Sequence, residues 1–142
     1  MKKKNTKKDN KKEVKEQKKW EIRLYKDING KCPVEDFMES LSEIEKDKMI
    51  KRIGELKDIG YNITRPKGVH LRDKIYELRI TLTNNETRTL FFFEFDNYII
   101  LTHTFIKKTQ KVPNNEIEKA IKYKKDFLQR YNKENIKGEE NA

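Results

Sequence analysis

The chain reads as an α+β domain, and three patterns in its sequence predict this. First, two central segments alternate in polarity. Tyr76, Leu78, Ile80 and Leu82 alternate with Ile75, Glu77, Arg79 and Thr81, and Phe91, Phe93 and Phe95 alternate with Arg88, Leu90, Phe92 and Glu94. Period two marks strands with one packed face and one open face. Second, apolar residues recur at spacings of three and four over 44–59 and again over 117–131, as in amphipathic helices. Third, Thr83-Asn84-Asn85-Glu86 joins the two strands with turn chemistry, since asparagine tolerates positive φ. With two further strands, the order is β-α-α-β-β-β-α. The expectation is a mostly antiparallel four-stranded sheet, with a helical hairpin and a C-terminal helix on one of its faces.

Taken in order, residues 1–19 hold ten lysines against Asp9, Glu13 and Glu16 and contain no aromatic residue, the composition of a solvated, disordered arm. Trp20–Tyr25 alternates and predicts a first strand with Trp20, Ile22 and Leu24 inward. Asp27-Ile28-Asn29-Gly30 predicts a turn. Pro33 suits the first position of a helix running to Leu41. Ser42 followed by Glu45 is a capping box for a second helix, with Ile44, Ile53, Leu56 and Ile59, and Met49 or Ile50, as its stripe, and Gly60 stands where that helix ends. Thr64–His70 reads as a linker into the central hairpin, and Tyr98–Phe105 as a fourth strand. Asn114 or Asn115 caps a last helix carrying Ile117, Ala120, Ile121, the stem of Lys124, Phe127, Leu128 and Tyr131. The domain is therefore expected over 20–132, with 1–19 and 133–142 as polar tails.

The formal charge of +10 is unevenly spread. Residues 1–19 carry +7 of it, so the high pI does not itself show that the folded part binds nucleic acid. Within 20–132 the surplus is +4, and residues 65–111 supply that much alone, with nine basic against five acidic side chains. The sheet region is thus the part suited to a polyanion. Cys32 is the only cysteine, which leaves no disulfide or Cys-based metal site within the chain. There is no apolar signal core and no run of about 18 apolar residues, so a cytoplasmic protein without membrane or cofactor is expected.

Pairing the hairpin about Asn84-Asn85 sets Leu78 opposite Phe91, Arg79 opposite Leu90 and Thr81 opposite Arg88. Arg79, Arg88 and Phe92 then share the open face, where a phosphate can bridge the arginines and Phe92 can stack a base. The ordinary alternative is that each arginine pairs with a carboxylate such as Glu77 or Glu94. His103 depends on the next turn. A two-residue turn at Asp96-Asn97 pairs Phe93 with Ile100 and puts His103 on the arginine face. A turn that also includes Tyr98 pairs Phe93 with Leu101 and puts His103 on the packed face, an arrangement favoured because it buries Ile99, Leu101 and Phe105 together.

Three strings carry a resemblance. Leu71-Arg72-Asp73-Lys74-Ile75-Tyr76-Glu77-Leu78-Arg79 resembles the "L-x-D-G-(L/I)-(Y/W)-E-L-R" signature of RelE/HigB-like toxins, in their phage-derived HigB-type branch. Thr87-Arg88 precedes an aromatic strand as in that family. Leu101–Pro113 resembles its "L-x-H-x-F-x-K-K-T-Q-K-T-P", followed by Glu116-Ile117-Glu118-Lys119-Ala120 for its "E-I-x-x-A". The departures are Lys74 for Gly, Val112 for Thr, and the lysine arm.

The resemblance implies a RelE-like fold and the toxin of a type II toxin–antitoxin system, held inactive by a small helix-turn-helix antitoxin. Such a toxin enters the ribosome and cuts mRNA; some relatives on the fold poison DNA gyrase instead. Cleavage of this kind proceeds by attack of a 2′-OH on its own 3′-phosphate and requires no metal. It requires alignment, proton transfer and neutralisation of growing charge. By family position Arg79, Arg88 and Lys107 are the candidate catalytic residues. Arg65, Arg72, Lys74, Phe92, Lys108 and Lys111 are candidates for RNA contact, and His103 is a possible acid or base. His70 lies in the basic linker, where plain surface is the simpler reading. No zinc site or nucleophilic triad is expected, since two histidines and one cysteine offer little for either.

Overall fold

The computed structural model describes residues 19–64 and 67–139; Arg65, Pro66 and nearly all of the lysine arm lie outside these. It has the expected α+β character, but the sheet has five strands and helices on both faces. The elements are β1 (Glu21–Leu24), α1 (Pro33–Glu39), α2 (Glu43–Ile59), β2 (Gly68–Arg72), β3 (Ile75–Thr81), β4 (Glu86–Glu94), β5 (Tyr98–Ile106), α3 (Asn114–Arg130) and a short α4 (Asn135–Glu139). The strand order is β1-β5-β4-β3-β2. β1 runs parallel to β5, and all other pairs are antiparallel.

The additional strand comes from a segment that reads as linker plus strand start. Asp73 and Lys74 both adopt positive φ (52° and 62°) and break Leu71–Ile80 into β2 and β3. This explains why glycine is usual at the position of Lys74, because a left-handed residue without a Cβ escapes the clash with the carbonyl oxygen.

The helix boundaries follow the sequence. Pro33 opens α1, the Ser42 hydroxyl accepts from the Glu45 amide at 3.3 Å, and Gly60 ends α2 at φ +56°. Gly60 is required there. A Cβ would sit 2.0 Å from Nε1 of Trp20, which packs in the core beside it. Along α2, Met49 and Leu56 are buried, whereas Ile44 and Ile50 face solvent.

Two cores sandwich the sheet. On one side Val34, Met49 and Leu56 pack on Leu78, Ile80, Phe91, Ile99 and Leu101. On the other, Ile117, Ala120 and Phe127 of α3 and Ile136 of α4 pack on Ile75, Leu90, Phe92 and Ile100. The second core corrects the expected open face. Its parity is mixed along the strands, apolar at Ile75, Leu90 and Phe92 but polar at Arg79, Thr81 and Arg88, and α3 covers the apolar end. Phe92 is 0% exposed, which excludes it as a stacking platform in this fold.

The turns set registers that pattern alone did not. Leu82 donates to the Asn85 carbonyl at 2.8 Å, so the hairpin apex is Thr83-Asn84, and Arg79 pairs with Arg88. The shift from the expected pairing is two residues, which leaves the faces unchanged. After β4 the loop is Phe95-Asp96-Asn97, with positive φ at Phe95 and Asp96, and Phe93 pairs with Ile99 rather than with Ile100 or Leu101. A bulge between the pairs Phe91–Leu101 and Leu90–His103 then turns His103 onto the arginine face. An extra residue in one strand inverts the parity of everything beyond it.

Candidate functional site

The polar end of the α3 face opens into a groove of ≈ 570 Å³. Its walls are Val69–Arg72 of β2, Glu77 and Arg79 of β3, the loop residues Lys107 and Gln110–Val112, and Ile117 at the start of α3. Four of the predicted residues, Arg72, Arg79, Lys107 and Lys111, meet there. Against these four cations stands a single lining carboxylate, Glu77, so the groove is electropositive and suited to an anionic ligand.

The sheet brings these side chains together from three segments. Arg79 comes from β3, whose pairing with β2 is prolonged by the Arg79 amide donating to the Lys67 carbonyl at 2.7 Å. Arg72 comes from the end of β2, where its guanidinium donates to Asp73 and to Asn114, the first residue of α3. Lys107 follows β5 directly, held by its amide donating to the Glu86 carbonyl at 2.8 Å. The loop beyond is tightened by the Thr109 hydroxyl, which donates to the Lys111 carbonyl at 2.6 Å.

Beneath the groove lies a chain of ionised groups. Glu77 accepts from Nη2 of Arg79 at 3.3 Å, and its other oxygen lies 2.8 Å from Nε of Arg88. That second contact is close but not aligned as a hydrogen bond, so Oε2 of Glu77 and Nε of Arg88 both lack a hydrogen-bonding partner among the described residues. Nε of Arg79 is likewise buried without one. Arg88 reaches further to Glu86 at 3.3 Å and to the Thr87 carbonyl at 2.8 Å. Hydrogen bonding from Thr81, aided by Arg88 and the charge of Lys107, holds the Glu86 carboxyl below its usual range. Arg88 is only 5% exposed and does not line the groove, so the expectation that it stands on an open face beside Arg79 is corrected.

His103 is also buried, beneath α3. Nε2 lies 3.1 Å from Oε1 of Glu116, and Nδ1 lies 3.0 Å from the Thr102 hydroxyl. Burial pushes its pKa down, while Glu116 pulls it back in part. A neutral ring fits the burial, with Nε2–H donating to Glu116. The Thr102 hydroxyl lies within reach of both Nδ1 and the Leu90 carbonyl, at 3.0 and 3.1 Å, and has one proton to give to either. His103 is thus a packed histidine, as the favoured reading expected, but on the opposite face. It is absent from the groove lining.

Lys74 sits exposed at the β2–β3 turn and Lys108 is exposed beyond Lys107; neither lines the groove. His70 forms part of the wall, and its ring packs on Tyr76 at 4.8 Å. Arg65 lies outside the described residues. Two contributors had weak signals in sequence. Glu77 shares the parity of both arginines, which marks it as a partner but not as a buried one. Gln110 is one polar residue in a loop of polar residues. Among the described residues, no three His, Cys, Asp or Glu side chains are placed to hold a metal ion. None of the described helices is long and apolar enough to cross a membrane.

An α+β domain with a basic groove at one end of its sheet fits the general class of small toxin-like proteins. Residues 36–125 match the family described as Phage derived protein Gp49-like (DUF891), and the chain belongs to that family, whose members are toxin-like proteins of toxin–antitoxin systems. The matched segment spans both arginines, Glu77 and the lysine loop. No curated protein matches the chain. Membership implies an antitoxin as partner.

Proposed function

We propose that this chain is the toxin of a type II system of the RelE/HigB kind, a ribosome-dependent endoribonuclease that stops translation by cutting mRNA in the cytoplasm. Its antitoxin would be a small helix-turn-helix protein. The observation that carries the reading is the convergence of Arg72, Arg79, Lys107 and Lys111 on one groove of a toxin-like domain.

In this mechanism the Arg79 guanidinium clamps the scissile phosphate, because a planar, permanently charged fork matches two phosphate oxygens. The 2′-OH of the preceding ribose attacks phosphorus and loses its proton to water, a cyclic 2′,3′-phosphate forms and the bond to the 5′-oxygen breaks. Charge growing on the phosphate is met by Arg79 and by the lysines across the groove. Lys107, anchored at the end of β5, is the group suited to give a proton to the departing 5′-oxygen or to neutralise it. Arg72 and Lys111 hold the flanking backbone. Lys108 and Lys74, outside the groove, would contribute only longer-range attraction.

Induced expression tests the reading. Growth arrest with messages cut inside codons is the expected result. DNA damage without loss of message would sink it and point to gyrase, and intact messages on stalled ribosomes would indicate binding without cleavage.

A further inference from the structure

Arg79, Glu77 and Arg88 form a row in which only the Arg79 end is partly exposed. The side chains of Arg79, Glu77 and Arg88 are 24%, 4% and 6% exposed. The two ends of the row are held unequally. Arg88 is fixed by contacts to Glu77, to Glu86 and to the Thr87 carbonyl. Among the described residues the Arg79 guanidinium has only the 3.3 Å bond to Glu77, and its Nε is buried without a partner. The carboxylate is therefore shared between a fixed guanidinium and a loosely held one, and only the loosely held one reaches the groove.

We propose that Glu77 is a positioning residue that occupies, in the unliganded protein, the place beside Arg79 that a phosphate oxygen of the nucleic acid takes on binding, and that Arg88 sets how strongly it does so. The inference rests on the reading of the groove as a phosphodiester site. Glu77 keeps the guanidinium of Arg79 ordered and near the groove, so that little reorganisation is needed when phosphate arrives. Arg88 neutralises most of the carboxylate from behind, so that Glu77 competes only weakly with the ligand. The row is a graded competitor, and Arg88 acts on substrate without touching it.

The sign of two effects separates this from a purely structural role. Glu77→Gln removes an anion from beneath an anion-binding groove while keeping the shape of the side chain. It should tighten binding about tenfold, as expected for loss of one screened like charge, and should lower turnover because Arg79 is no longer aimed. Arg88→Met leaves Glu77 with Arg79 alone and should weaken binding about tenfold, although Arg88 lies outside the groove. Combining the two should restore binding to the wild-type level or better, since the competitor is gone.

The probe is a short RNA with 2′-O-methyl riboses, which cannot be cleaved, titrated at low salt against the full chain. Thermal melts establish the folded fraction of each variant. Should either single variant fail to fold, the charge-balanced double variant is compared with wild type and is expected to bind at least as tightly. Weaker or unchanged binding by folded Glu77→Gln, or a folded double variant that still binds poorly, would overturn the proposal. Wild type that binds this RNA but cuts no ribosome-bound mRNA would refute the nuclease reading while leaving the positioning row to the binding data. Wild type that does not bind it would overturn the positioning row, while cutting of ribosome-bound mRNA alone decides the nuclease reading.

Discussion

Arg79 and Arg88 stand directly opposite each other on β3 and β4, yet only Arg79 reaches the groove. Their guanidiniums converge on one carboxylate, Glu77, from its two sides. Two residues that look equivalent in sequence therefore have different consequences when removed. Arg79→Ala should abolish growth arrest, with cleavage reduced about 10²–10³-fold as for loss of one pre-organised donor, and should barely change the urea midpoint. Arg88→Ala removes a partner from a buried ion pair and should cost about 3–5 kcal/mol of stability, toward the lower figure because Arg79 remains beside Glu77. Equal losses of stability in the two variants would contradict this division.

The lysines of the loop should differ by position. Lys107 and Lys111 line the groove, whereas Lys108 is exposed and does not. Each lost phosphate contact should lower the slope of log affinity against log salt by about 0.7 for single-stranded RNA. Lys107→Ala and Lys111→Ala should each show that decrement, and Lys108→Ala a smaller one. A decrement at Lys108 as large as at Lys107 would mean that the RNA follows the outer side of the loop.

The part of this that could be read in the sequence is the part that local chemistry dictates. The capping pair Ser42 and Glu45, Pro33, Gly60 and the alternation around Leu78 and Phe91 each specify their own neighbourhood. The shared face of Arg79 and Arg88 survived a two-residue error in register because strand parity repeats every second residue. What failed was set at a distance or by a single residue. Phe92 read as exposed because its face carries two arginines, but the stripe of α3 covers that end of the sheet. His103 changed face because of one bulge, which no polarity pattern announces. β2 was hidden because the positive-φ turn at Asp73 and Lys74 has lysine in place of the glycine that usually marks it.

The setting of His103 predicts a dependence of stability on pH. Burial lowers its folded-state pKa below the ordinary value of 6.5, against the pull of Glu116. The unfolded chain then binds the proton more readily than the folded one. The contribution from keeping the ring neutral is complete above about 6.5 and is lost as pH falls through that value toward the lower folded pKa. Thermal midpoints should therefore drop between pH 7.5 and 5.5. Glu86 and Asp126, whose carboxyls are held low, add their own losses only under more acidic conditions. Glu116→Gln removes the group that favours the charged ring and should steepen the drop; a wild-type midpoint that rises as pH falls through this range would show instead that His103 is charged in the folded protein.

Lys74 offers a case where stability and binding can be separated. It holds φ +62° at a tight turn, a conformation that costs an ordinary residue about 1–2 kcal/mol. Glycine accepts it freely but surrenders about 0.5–1 kcal/mol of chain entropy on folding. Lys74→Gly should accordingly stabilise the domain by roughly 0.5–1 kcal/mol, read as a higher urea midpoint at constant slope. The exposed Lys74 side chain does not line the groove, so affinity for a single-stranded RNA should fall little, and the fall should vanish as salt screens its charge. Lys74→Ala provides the comparison: it removes the same charge but keeps the strained φ, and should bind like Lys74→Gly without the gain in stability. A large, salt-resistant loss of affinity in both variants would instead make Lys74 a direct contact and extend the RNA path from the groove to the β2–β3 turn.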